Sequence, residues 1–332
     1  MTRIQFTPGL RGIAGVAALT AALVLAPATA SARTLRIGYI LSTDSQLGAG
    51  AKLFAEELAM RTENRIMIEQ FPNSALGGEV EMLKGVQLGA IDLAFITGAP
   101  LPNIVPEVGV FNIPFLFRDA AHAHAALDGP IGQEYLQKFR AKDLVALAWG
   151  ENGMRHITNS KRDVRTPDDL KDLKLRLPQS DVMLAGFKAL GADVAPLPFP
   201  QLYGALQSGQ FDGQENPIAT IQASKFSQVQ KFLTVSGHVY DPAVIVMSVD
   251  AFEELDEGDK EAIVAAAKLG AKASREFAAD AQAKGVAALA EAGMQVTREI
   301  DAGAFAAAMA GAAPEFENRF GADVIRQIHD SK

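Results

Sequence analysis

From residue 35 onward, short runs of alternating apolar and polar positions give way repeatedly to longer runs with apolar residues three and four apart. Alternation over 35–40 predicts a strand. The stretch 46–61 (QLGAGAKLFAEELAMR) predicts an amphipathic helix, and 65–71 (RIMIEQF) alternates again. Residues 78–88 are expected to be helical, and 91–97 (IDLAFIT) reads as a buried strand. A long helix is predicted over 119–142, and another buried strand over 144–149 (LVALAW). Strands alternating with helices point to the α/β class with largely parallel sheets.

After Glu151-Asn152-Gly153 the pattern restarts. Strands are predicted at 155–158 and 173–177, a helix at 180–190 closed by Gly191, a short strand at 194–197 and a helix at 201–208. Thr166-Pro167-Asp168-Asp169 has the form of a helix start, with Thr as cap, Pro in the first turn and acids behind it. One echo links the halves. Gln87-Leu88-Gly89-Ala90-Ile91-Asp92 and Gln207-Ser208-Gly209-Gln210-Phe211-Asp212 each end a helix on Gly and open a strand with an apolar-Asp pair. The alanine-rich stretch from 256 to about 292 reads as one unbroken helix, ~55 Å long at 1.5 Å per residue. That is longer than one ordinary domain, so it is expected to brace two. A strand at 295–300 and a helical stretch at 302–328 close the chain.

The first 32 residues break this pattern. Two arginines, no acids, an apolar run and the small-residue site Ala30-Ser31-Ala32 have the layout of a cleaved signal peptide, giving export to the periplasm. The run is too short for a comfortable membrane span. Removing it moves the formal charge of the 332-residue chain from −8 to −10. Such an acidic chain lacks the basic footprint that nucleic acid demands. An anionic ligand would have to be held by local cations. With no cysteine, disulfides and thiolate chemistry are excluded.

The usual catalytic signatures are missing. Gly48-Ala49-Gly50 follows a strand, but Leu53 stands where a dinucleotide loop needs its third glycine. There is no GxSxG elbow, and the five histidines are scattered. His122 and His124 are expected at the surface. No metal, cofactor or turnover is expected. A polar group of another kind stands out: Arg155 in ENGMRHITNS, Arg176 in LKLRLPQS and Asn216 in FDGQENP, each at a strand beside Gly or Pro. In 173–177, alternation puts Leu173, Leu175 and Leu177 on one face and Lys174 and Arg176 on the other. Two guanidinium groups and an amide converging beyond strand ends suit a carboxylate, which arginine matches in a bidentate fork.

FPNSALGGEVEML, FNIPFLFRD, ENGMRHITNS, LKDLKLRLPQS, LPFPQLYGALQSGQFDGQENP and KFSQVQKFL occur in that order. This series resembles the solute-binding proteins of tripartite ATP-independent periplasmic (TRAP) transporters, over nearly all of the chain beyond the leader. The resemblance implies a two-domain periplasmic binding protein fold of type II-like form. Its two α/β domains flank a central cleft, joined by crossing strands and braced by a long helix. Domain I would comprise 33–152 plus about 242–280, and domain II 153–241 plus about 281–332. It implies a monomer that binds a small organic acid and delivers it to a membrane permease. By motif, Arg176 would anchor the carboxylate in a bidentate fork, Arg155 would add a second cationic contact and Asn216 a hydrogen bond. Phe199 would form an apolar wall, Glu79 and Tyr240 would face the variable end, and Thr97 would line the pocket.

Glu79 at the variable end, where a second ligand carboxylate would want a cation, favours a hydroxylated monocarboxylate such as a uronate or aldonate. A C4-dicarboxylate or keto acid is the alternative, with Arg155 serving the second carboxylate. Glu79 capping the helix that starts at residue 78 is a competing role. An exported enzyme acting on a small acid, or a sensor subunit, would use the same kind of cleft.

Overall fold

The computed structural model describes residues 1–5 and 32–331. The signal peptide expected over 1–32 therefore falls almost wholly outside the described residues. Among the described residues the strands form one nine-stranded sheet whose order is its own explanation. One end is a parallel triplet: β2 (Ile66–Phe71), β1 (Arg33–Gly38) and β3 (Leu93–Thr97). The other end is a second parallel triplet: β7 (Gly213–Pro217), β5 (Lys174–Leu177) and β6 (Asp193–Pro196). Between them lie two long antiparallel strands, β4 (Leu144–Asn159) and β8 (Phe232–Ser248), and β9 (Gln295–Thr297) adds to β8.

The echoed Gly and Asp residues do the same job in both triplets. Gly89 and Gly209 end α2 (Glu79–Gln87) and α6 (Leu202–Gln207) at φ +69° and +75°, where a side chain would be strained. Asp92 then accepts the backbone N–H of Arg36 in β1 at 2.8 Å, and Asp212 that of Lys174 in β5 at 3.1 Å. Each carboxylate ties the inner strand of its triplet to the start of its neighbour.

Four expectations change. The predicted strands 144–149 and 155–158 are one strand, β4, carried past Gly153 at φ +128° by a register shift against β8. The predicted helix 119–142 is two, α3 (Ala120–Asp128) and α4 (Pro130–Lys138), followed by a 3₁₀ turn. Pro130 has no N–H to continue the ladder and forces Gly129 into an extended conformation. The predicted C-terminal helix 302–328 is broken into α10 (Ala302–Met309), α11 (Ala313–Phe320) and α12 (Ala322–His329), the last break at Gly321 with φ +87°. His122, expected at the surface, is buried and bonded to the carbonyl of Ile328 at 3.1 Å.

The long helix matches its prediction. α9 (Glu257–Glu291) is capped by Asp256, whose side chain accepts the N–H of Asp259. It lies along α1 (Gln46–Arg61), β4 and α7 (Ile218–Ala223). Glycines set the closeness of the α1 crossing: a Cβ on Gly270 would sit 2.6 Å from the carbonyl oxygen of Gly50. One apolar core gathers Leu35, Phe54, Phe95, Trp149 and Ile263, and also Phe316 and Ile328 from the C-terminal helices. Two further cores, around Leu175 and Phe187 and around Leu202 and Phe226, fill the second half.

Candidate ligand-binding site

Arg176 sits on β5, where the expected alternation holds. Leu173, Leu175 and Leu177 enter the core and Lys174 faces solvent. The Arg176 side chain leaves from the opposite face and is 2% exposed. Its Nε donates to the carbonyl of Leu197 at 2.8 Å, and its guanidinium carbon lies 6.0 Å from the centre of the Phe199 ring. Among the described residues no protein acceptor serves its two terminal nitrogens. Burial pulls its pKa down to about 9, opposed in part by the fields of Glu215 and Glu79. A buried guanidinium without a carboxylate partner is costly and calls for an anion.

Arg155 is placed differently from expectation. Its Nε and Nη2 meet Glu215 Oε2 and Oε1 at 2.5 and 2.7 Å, and Nη2 also donates to the Glu215 carbonyl at 2.7 Å. Nη1 donates to Asp241 Oδ2 at 2.7 Å. Of five N–H groups this leaves one for a ligand. Its charge is already balanced by two buried carboxylates. Burial opposes its charge, but Glu215 and Asp241 more than offset this and hold its pKa above the ordinary value. Sequence reading missed Glu215 and Asp241. A signal was there for Asp241 alone, an acid within the otherwise apolar, strand-like run VYDPAVIV; Glu215 stands among the polar residues of GQENP and is not singled out by them.

Glu79 does not cap its helix. Glu81 does, accepting the N–H of Gly78 at 2.8 Å. Glu79 is instead buried, and its Oε1 accepts the backbone N–H of Thr97, at the end of β3, at 2.7 Å. Burial pushes its pKa up to about 7, against the pull of the Thr97 hydrogen bond, and the field of Asp241 adds to the rise. Asn216, in β7, is buried with its amide oxygen 3.3 Å from Arg155 Nη2 and its amide nitrogen donating to Gln214. A Cβ on Gly78 would meet Pro198 and Pro200 within 4.0 Å, so the segments carrying Glu79 and Phe199 abut. Three residues beyond Arg176 on the chain, Gln179 accepts at its carbonyl from Asn103 Nδ2 at 2.8 Å.

Tyr240 is not part of this group. Its hydroxyl donates to Glu151 Oε2 at 3.4 Å, and its ring packs edge-on against Phe117 and His124. Next to it on β8, Asp241 turns toward Arg155. Arg176, Phe199, Glu79, Thr97 and the Arg155–Asn216 pair are what the fold brings together. That assembly offers one free guanidinium fork, one apolar ring and one half-used carboxyl. Among the described residues no cluster of His, Cys, Asp or Glu is disposed to hold a metal.

Comparison with known proteins agrees with this architecture. The model of the bacterial extracellular solute-binding proteins, family 7, matches residues 37–319. The chain belongs to this family. A solute-binding protein of Verminephrobacter eiseniae is 44% identical over 306 residues, covering 92% of this chain and 91% of the relative. A TRAP periplasmic solute-binding protein from Polaromonas sp. JS666, bound to D-erythronate, is 46% identical with a TM-score of 0.89, covering 90% of this chain and 99% of that one. Another from Bordetella bronchiseptica, with density assigned to pantoate, is 43% identical with a TM-score of 0.89 and the same coverage. The two-domain TRAP solute-binding fold and function class read from the motifs are those of this family member.

Proposed function

We propose that this TRAP solute-binding protein captures a four-carbon hydroxylated monocarboxylate in the periplasm and hands it, chemically unchanged, to a membrane permease. The observation that carries this reading is Arg176: an enclosed guanidinium whose two terminal nitrogens have no protein acceptor among the described residues. A single carboxylate matches that fork. Arg155 has one N–H to spare, which argues against a second ligand carboxylate and for hydroxyl groups at the far end. D-Erythronate and pantoate, bound by the two similar structures, share one carboxylate, a four-carbon chain and hydroxyls at carbons 2 and 4. Glu79, with one oxygen engaged by Thr97, is suited to a hydroxyl.

The leader supports export with cleavage before Arg33, the first residue of β1. The division into lobes runs through β4 and β8 near 151–153 and 241–242, and the protein works as a monomer. A calorimetric and thermal-shift panel of D-erythronate, pantoate, D-glucuronate and succinate tests the ligand, since a tight binder stabilises by mass action. Tightest binding is expected for erythronate or pantoate; tightest binding of succinate overturns the ligand class. Recovery of unaltered acid after prolonged incubation tests the absence of turnover.

A further inference from the structure

Five buried ionisable side chains are linked by contact or field at the site: Arg155 and Arg176 against Glu79, Glu215 and Asp241. Fully ionised, they already carry one negative charge more than positive. An entering carboxylate adds another. A closed, dry site cannot hold that excess cheaply, because an uncompensated buried charge costs far more than its neutral form. The histidine of the network does not help: His238 donates from Nε2 to Glu215 and accepts at Nδ1 from the Ser236 hydroxyl, and its burial favours the neutral ring.

Hydrogen bonding decides where a compensating proton goes. Both oxygens of Glu215 receive N–H groups of Arg155. Asp241 receives Arg155 and Asn152 on Oδ2, both at 2.7 Å, and Asn112 on Oδ1 at 3.2 Å. Protonating either would set an O–H against donors. Glu79 differs. Facing it are the Thr97 N–H and hydroxyl from β3, Asp241 from β8 and Arg176 from β5. Its Oε1 takes the Thr97 N–H, and its one other hydrogen-bonding neighbour among the described residues is the Thr97 hydroxyl, which can accept from a protonated carboxyl as well as donate to an ionised one.

We propose that ligand capture takes up one proton from solvent on Oε2 of Glu79, so that the site closes around one organic anion and one neutral acid. The new O–H bond then donates to a ligand oxygen, making Glu79 a specificity residue that hydrogen-bonds rather than repels the guest. This rests on the reading that an organic anion binds at Arg176. The rise of the Glu79 pKa through burial is in the same direction.

The test is calorimetric titration of the mature protein with D-erythronate at pH 7.5 in phosphate and in Tris, whose ionisation heats differ. Uptake of about half to one proton per ligand is expected, with Kd rising by up to about tenfold per pH unit in the range where the carboxyl is protonated only in the complex. In Glu79→Gln the uptake is expected to vanish. No uptake by the wild type, or undiminished uptake by Glu79→Gln, overturns the proposal. Should that variant not fold, infrared difference spectra of the wild type decide: a protonated-carboxyl band must appear on ligand addition, and its absence overturns the assignment. If D-erythronate does not bind, the ligand reading fails by itself, and the proton count is read with whichever acid of the panel does; if none binds, both readings fall.

Discussion

The Arg155 guanidinium and the Glu215 carboxylate meet fork to fork, at 2.5 and 2.7 Å, with both side chains fully enclosed. Removing one member of such a pair strands the other. Arg155→Ala is therefore expected to lower stability by ~3–5 kcal/mol. Urea denaturation of ligand-free protein checks this; a loss below about 1 kcal/mol would show that the pair is not the structural element described. Arg155→Lys should not restore stability, since an ammonium cannot span both oxygens.

Arg176 is expected to show the opposite behaviour. Its truncation removes a buried charge that no protein carboxylate balances, so Arg176→Ala should leave ligand-free stability within about 1 kcal/mol of wild type or raise it. Affinity should fall by ~2–5 kcal/mol, roughly 30-fold to several thousand-fold. Calorimetry on the folded variant decides, and near-native affinity would remove Arg176 as the anchor.

The pH dependence of stability follows from Glu79. Its carboxyl titrates at about 7 in the folded protein against 4.5 as its ordinary value, chiefly through burial. A raised folded-state pKa contributes stability that is complete below about pH 4.5 and is lost as pH climbs through 7. Melting of the ligand-free wild type at pH 5 and pH 8 should therefore differ more than melting of Glu79→Gln at the same two pH values. Equal differences would contradict the burial of this group.

What the sequence disclosed and concealed divides along physical lines. Arg176 was legible because its own strand is short, alternating and ended by Pro178, so its face was fixed locally. α9 was legible because nothing interrupts its period, and its caps Asp256 and Ala292 match the predicted limits. The long strand β8 was not legible because Gly237 and Pro242 interrupt its pattern; the missing proline N–H falls at a register shift against β4, where the ladder tolerates it. The carboxylate partners of Arg155 were not legible because they lie 60 and 86 residues away, on strands whose pairing no local pattern specifies.

The α1–α9 crossing gives a stability prediction remote from the ligand. Gly270→Ala would place a methyl 2.6 Å from the Gly50 carbonyl and 2.7 Å from the Phe54 Cβ. Backbone cannot yield as a flexible side chain does, so a loss of ~1–3 kcal/mol is expected. Denaturant titration checks it; a neutral outcome would mean that the helices cross more loosely.

Asn103 touches Gln179 through one hydrogen bond of 2.8 Å. Asn103→Ala should speed ligand release by about two- to tenfold, the equivalent of one ordinary hydrogen bond, with little change in association. Stopped-flow displacement measures this, and an unchanged release rate would remove the contact from the closing mechanism.

Because β4 and β8 each run through the middle of the one sheet formed by the described residues, no tether among those residues can be cut to liberate half of it. Expressing either half as a separate polypeptide would strip a triplet of the strand it leans on. The same topology denies the protein engineer a spacer in which to insert a reporter. A fluorescent sensor built on this scaffold would have to take its signal from dyes placed beside Asn103 and Gln179.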